Sequence, residues 1–228
     1  MAHHPLDRPV WNMLTGPQAH LALGGELAVR IDPGYGPFAA LRDHSDAALA
    51  ALAALVTPGE QVWLVEPEEW PVPPGFALDR TAALVQMVAD HPAPVRPGDE
   101  ETVLLGDADA AAMRELALAT KPGPWGDKTR HYGAFHGIRR AGRLAAMAGE
   151  RMRPAAGFAE LSGVCTWPEY RGQGLAARLI RRVMAGFTAR GDVPFLHSYA
   201  ANAGAIALYE ALGFAARREL VVTVLERT

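Results

Sequence analysis

The residues Arg171-Gly172-Gln173-Gly174-Leu175-Ala176 stand where an apolar, strand-like run ending at Thr166 gives way to a long amphipathic helix. A turn of this composition can hold a diphosphate. The first N–H groups of a helix have no intrahelical partner, and the helix dipole adds partial positive charge there, so an anion is bound without a basic side chain. Gly172 and Gly174 let the main chain approach phosphate oxygens where a Cβ would obstruct.

Gly172-x-Gly174-x-x-Ala177 also matches the dinucleotide fingerprint, and Asp192 stands at about the ~20-residue offset of a ribose-binding acid. The context argues against that match. Trp167-Pro168-Glu169-Tyr170-Arg171 separates the strand from the first glycine, and Asp192 precedes the next apolar run, Pro194 to Tyr199, rather than ending it. Read instead as (Arg/Gln)-x-x-Gly-x-(Gly/Ala), Arg171 to Ala176 resembles the acetyl-CoA pyrophosphate loop of the GNAT superfamily of N-acetyltransferases. The order of its neighbours strengthens the resemblance: Val164-Cys165-Thr166-Trp167-Pro168-Glu169-Tyr170 before it, Pro194 to Ser198 a helix length later, then Asn202-x-x-Ala205-x-x-Leu208-Tyr209-x-x-x-Gly213-Phe214. Lys121-Pro122-Gly123-Pro124, Gly137-Ile138-Arg139 and Ala146 to Met152 further resemble a bacterial branch related to glycine N-acyltransferase.

The resemblance implies an acetyl-CoA-dependent N-acetyltransferase in which a primary amine, on a small molecule or a peptide, attacks the thioester directly. Three tasks follow: the amine loses a proton, the carbonyl oxygen is stabilised, and the departing thiolate is protonated. Family resemblance gives the last task to Tyr209, whose ordinary pKa of about 10 keeps it protonated at neutral pH; a core aromatic on a helix is the other reading of the same residue. Glu160, eleven residues before Arg171 on the preceding strand, is the first candidate for the base, with burial expected to raise its pKa toward neutrality. Glu150, His197 and a water chain are its alternatives. Cofactor contacts are expected from Val164, Cys165 and Thr166 to the pantetheine arm, from the turn Arg171, Gly172, Gln173, Gly174, Leu175 and Ala176 to the pyrophosphate, and from Asn202, which could equally cap the following helix. Arg178 and Arg182 could meet the 3′-phosphate or simply be solvated. A CoA-binding protein without transfer activity is the competing functional class.

These residues need a framework. The fold the resemblance implies is α/β (α+β): a central mixed, mostly antiparallel sheet flanked by helices, preceded by an α/β N-terminal half. Three prolines in His91 to Gly98 suggest an extended connector between an N-terminal region at 1–95 and a catalytic domain at 99–228. In the first region we expect helices at Val10–Leu14, Pro17–Leu23 and Asp46–Val56, the last capped by Ser45, and strands at Glu26–Ile31, Gln61–Glu66 and Ala82–Ala89. In the second, strands are expected at Thr102–Leu105, Tyr132–Ile138, Arg143–Met152, Phe158–Thr166 and Pro194–Tyr199. A helix capped by Asp107 or Asp109 ends near Ala119, and another runs from Gly172 to Arg190 until Gly191 stops it. The latter aligns Leu175, Leu179, Ile180, Val183, Met184 and Phe187 on one face.

Composition narrows the class without choosing a function. With 228 residues, half of them hydrophobic, the chain can bury a large core, and its net charge of −3 makes no electrostatic case for nucleic acid or an acidic membrane as partner. The single cysteine, Cys165, allows no intramolecular disulfide and fits a reducing, cytoplasmic setting; as a lone strand cysteine it reads as packing rather than as a nucleophile. No apolar run approaches ~18 residues, and the N-terminus lacks a leader pattern. No metal site is expected, since His3-His4 lacks spaced partners. Trp125, in a loop rich in Gly and Pro, could wall an acceptor site or plug the loop. Oligomeric state is not legible.

Overall fold

The computed structural model describes residues 4–228; His3 lies outside them. The chain runs through α1 (Pro9–Thr15), β1 (Ala22–Gly24), β2 (Ala28–Ile31), β3 (Ala39–Leu41), α2 (Asp46–Leu55), β4 (Gln61–Glu66) and β5 (Phe76–Val88). Then come β6 (Val103–Leu105), α3 (Ala110–Thr120), β7 (Phe135–Arg140), β8 (Arg143–Glu150), β9 (Phe158–Thr166), α4 (Leu175–Ala189), β10 (Val193–Tyr199), α5 (Ala203–Glu210) and β11 (Ala215–Arg227). β1, β2 and β3 form a small antiparallel sheet; the other eight form one mixed sheet in the order β4-β11-β5-β10-β9-β8-β7-β6. All its pairings are antiparallel except that of β9 with β10.

Helices cover both faces of this sheet. The apolar stripe of α4 packs with Ala146, Ala148, Ala159, Leu161 and Leu196 on one side, whereas Met113 and Leu116 of α3 meet Phe135, Met147 and Cys165 on the other. Strand alternation would put Leu161 and Cys165 on the same face. A bulge separates them: the register slips between Ser162↔Gly149 and Cys165↔Met147, with Gly163 at φ +62°. A bulged residue bends its strand and sharpens the twist, and glycine occupies the left-handed conformation without strain.

Most helices and strands lie where the sequence pattern puts them, with instructive exceptions. Pro17–Leu23 is not a helix but a 3₁₀ turn, Ala19–Leu21, followed by β1. Gln18 is drawn into tertiary bonds there, donating from Nε2 to the Arg151 carbonyl (3.0 Å) and accepting the Arg153 N–H at Oε1 (2.7 Å). α4 starts at Leu175 rather than Gly172, because Gly172 and Gly174 take φ values of +75° and +72° that a right-handed helix cannot contain. β5 is longer than expected, and β3 and β11 are additional strands. The polar start of β11, Arg217-Arg218-Glu219, hides the apolar run Leu220–Leu225 that follows it.

The connector does not separate two sheets. β5, from the N-terminal region, lies between β10 and β11 of the C-terminal region, and β4 extends the same sheet beyond β11. Arg181 of α4 clamps the end of the connector, donating from Nε and Nη2 to the two oxygens of buried Asp99 at 2.7 and 2.6 Å. Arg178, expected free on the helix surface, instead donates to the Gly98 carbonyl and pairs with Glu101 at 3.1 Å.

Candidate active site

The parallel pairing of β9 with β10 ends at Glu160↔Phe195. Beyond it each strand keeps its outer partner: β9 stays on β8 as far as Thr166↔Ala146, and β10 stays on β5 as far as Tyr199↔Leu84. The two strands therefore splay, and a cavity of about 610 Å³ opens between Val164–Thr166 and His197–Tyr199. Backbone groups of β9 facing the gap have no strand partner across it, and Thr166 Oγ1 is buried without a hydrogen bond to any of the described residues. Such unpaired polar groups suit an extended ligand rich in amides.

Of the residues read as cofactor contacts, Val164, Cys165, Thr166, Arg171, Ala176 and Asn202 line this cavity. Gly172, Gln173 and Gly174 form the turn that brings the chain to its mouth, and Leu175 is buried beneath it at the start of α4. Apart from the adjoining residues, no heavy atom of the described residues lies within 4 Å of where a Cβ would stand on Gly172 or Gly174, so the space above the turn is open. Gly174 caps α4 with no side-chain oxygen to satisfy the first amides, which leaves them available to an anion. Arg171 bends back to the Thr166 carbonyl (3.4 Å). Asn202 does cap α5, its Oδ1 accepting the Ala205 N–H at 3.2 Å, while also lining the cavity.

α5 contains no fully buried residue; Ile206, Leu208 and Tyr209 are half-buried, as on a helix that borders a cleft. Tyr209 lines the cavity, rests edge-on against Phe214 with ring centroids 5.9 Å apart, and its hydroxyl has no hydrogen-bond partner among the described residues. Burial pushes its pKa up to about 12.

Glu160 departs from expectation. Desolvation acts to raise its pKa, but Arg151 and His197 outweigh it and hold the carboxyl at about 2. Arg151 binds side-on, Nε to Oε2 at 2.8 Å and Nη2 to Oε1 at 2.7 Å; the Met152 N–H adds a bond at 3.2 Å. His197 Nδ1 lies 2.7 Å from Oε1. The side chain is fully buried, does not line the cavity, and is ionised at neutral pH rather than a base poised near neutrality. Glu150 is excluded from the site as well: its carboxylate, at the end of β8 and outside the cavity lining, pairs with Arg153 at 2.5 Å and Arg190 at 3.0 Å.

His197 does line the cavity, and its orientation is fixed by a chain of bonds from the N-terminus. Asp7 accepts from Arg217 Nη2 (2.6 Å), and Arg217 Nη1 donates to Gln86 Oε1 (2.7 Å). An arginine can only donate, so the Gln86 oxygen faces it and the amide nitrogen donates to the Leu6 carbonyl (2.7 Å) and to His197 Nε2 (3.0 Å). His197 is thereby set as the tautomer with its proton on Nδ1, donating to Glu160. Arg217 is the extra residue of a β11 bulge, between Ala216↔Met87 and Arg218↔Gln86, which aims it at Gln86. The sequence offered a weak signal for this network, isolated polar residues in apolar strands, and none for its partners.

The far end of the cavity is built by the N-terminal region: Phe38, Trp63, Val65 and Leu84, with Met152 and Val222. Trp125 is not among these residues; it stacks edge-on against Phe135 with centroids 5.4 Å apart and plugs its loop. Cys165 is buried against Met113 and Leu116, and burial pushes its thiol pKa up to about 12, which rules against a nucleophile. Among the described residues no group of three or more His, Cys, Asp or Glu could hold a metal ion, and no helix is long and apolar enough to cross a membrane.

A mixed sheet splayed at one parallel pair, with a glycine turn capping a helix beside the gap, defines an acyl-transferase architecture. Residues 135–222 match the FR47-like protein family. A crystal structure of a GNAT-family protein from Novosphingobium aromaticivorans is 57% identical, covering 99% of this chain and 100% of its own, with a TM-score of 0.94. GCN5-related N-acetyltransferase structures from Kribbella flavida (19% identity, 90% of this chain and 88% of that one, TM-score 0.58) and Sphaerobacter thermophilus (15%, 98% and 94%, 0.55) share the fold. None of the curated proteins matches the chain significantly. The chain belongs to the GNAT family and is an N-acetyltransferase. The glycine N-acyltransferase-like branch stays a resemblance of the sequence.

Proposed function

We propose that the protein transfers the acetyl group of acetyl-CoA to a primary amine. The observation that carries this reading is the opening between β9 and β10, with the uncapped turn Gly172–Gly174 at its mouth and the free hydroxyl of Tyr209 on its wall. Val164 to Thr166 would hold the pantetheine arm, and the amides at the start of α4 with Arg171 the diphosphate. The thioester supplies an electrophilic carbonyl.

Tyr209 keeps its proton across the physiological range and donates it to the departing sulfur. Neither candidate base is free to take the proton of the amine: Glu160 lies outside the cavity lining, locked by Arg151, and both nitrogens of His197 are engaged. Water accepts that proton, and the amine enters the reaction in its neutral form. The proton balance closes through solvent, which returns a proton to Tyr209.

Calorimetry with acetyl-CoA, followed by thiol release in the presence of a panel of amines, tests the reading. Binding with amine-dependent thiol release supports it. Binding without turnover by any amine would favour a CoA-binding protein that does not catalyse transfer.

A further inference from the structure

Arg151 uses Nε and Nη2 on Glu160, but its Nη1 makes no hydrogen bond to the described residues and lies beside Gly123; both residues line the cavity. The guanidinium is rigid, clamped side-on by the carboxylate and seated over the Phe38 ring 4.9 Å from its centroid. A planar fork held in this way offers a preorganised donor to a second carboxylate. Lys121 lines the same cavity at the end of α3, in a left-handed conformation (φ +50°) that a non-glycine residue adopts only at a cost, and no acidic side chain among the described residues pairs with it.

No Asp or Glu lines the cavity. Arg171 belongs to the diphosphate end. At the acceptor end, Glu160 balances the charge of Arg151, and the ammonium of Lys121 is left over as one positive charge. A polyamine would enter against that field, whereas one carboxylate would neutralise it. Phe38, Trp63, Val65, Leu84 and Val222 provide apolar walls for the rest of the molecule.

We propose that the acceptor is a hydrophobic amino acid, an amine that also carries a carboxylate, with Nη1 of Arg151 and the ammonium of Lys121 binding the carboxylate and the aromatic end of the cavity binding the side chain. This rests on the acetyl-transfer reading above.

The test is calorimetric and uses the full chain. CoA is titrated first; absence of CoA binding would overturn the acetyl-transfer reading and this one with it. The CoA-saturated protein is then titrated with N-acetylphenylalanine, with N-acetylphenethylamine, which lacks only the carboxylate, and with N-acetylspermidine. N-acetylphenylalanine should bind at least about tenfold more tightly than either of the others. Lys121→Met should remove roughly three- to tenfold of that advantage without altering the affinity for N-acetylphenethylamine. Equal affinities with and without the carboxylate, preference for the spermidine derivative, or no binding of any of the three to the CoA-loaded protein would each overturn the amino-acid proposal while leaving acetyl transfer standing.

Discussion

Arg151 and Glu160 meet side-on at the loop end of the β8–β9 hairpin, at 2.7 and 2.8 Å, with the carboxylate fully buried and the guanidinium nearly so. This pair converts a strand carboxylate in the position of a base into a structural anion that braces His197 on one side and presents Arg151 to the cavity on the other. Removing one partner leaves a buried charge alone, so Glu160→Gln should cost about 3–5 kcal/mol in chemical denaturation. A loss under 1 kcal/mol would contradict the pairing.

The same pair fixes an acid sensitivity. Glu160 has its folded pKa held at about 2, below the unfolded value near 4.5, and a depressed carboxylate contributes stability that is complete above the unfolded pKa and lost as pH falls through the folded one. Wild-type stability should therefore fall between about pH 4.5 and 2, with Asp7, also held at about 2 by Arg217 and Arg218, contributing over a similar window. The fall should be visibly shallower in Glu160→Gln, followed by urea midpoints across that range.

If water takes the proton of the amine, the acidic limb of the kcat/KM profile belongs to the acceptor rather than to the enzyme. Acceptors whose ammonium pKa values differ by about two units should shift the limb by about the same amount. A limb that stays fixed across acceptors would return the role of base to a protein group, His197 first.

Tyr209→Phe removes only the hydroxyl, which has no partner among the described residues, and keeps the ring against Phe214. Melting temperature and CoA affinity should be unchanged while kcat falls by roughly 10²-fold, provided chemistry limits turnover. Near wild-type kcat with the best acceptor would make Tyr209 a packing residue.

Gly174 caps α4 at φ +72°, so any Cβ there costs about 1–2 kcal/mol of backbone strain as well as the space above the turn. Gly174→Ala should retain the fold by circular dichroism and weaken CoA binding by at least about tenfold. Unchanged affinity in the folded variant would remove the diphosphate from this turn. The fragment Asp99–Thr228 should fail to fold when expressed alone, since β5 separates β10 from β11; a cooperative melt would show that two independent domains meet in one sheet.

What the sequence determined by itself is local. Glycines that must turn left, an N-cap at Ser45, and the stripe Leu175 to Phe187 fixed the helices and the glycine turn before α4, because backbone freedom and helical periodicity are properties of a few consecutive residues. Asn202, the cap of α5, and Tyr209, within it, were legible because they belong to one short motif. Tertiary structure decided the rest. The state of Glu160 depends on Arg151 and His197, which lie nine and 37 positions away. The tautomer of His197 depends on Gln86 and Arg217, brought together by a bulge in a strand whose polar start concealed it. Phe38 and Trp63 reach the cavity because the N-terminal region packs against the shared sheet. Burial and charge pairing act between elements, and one-dimensional spacing does not encode which elements meet.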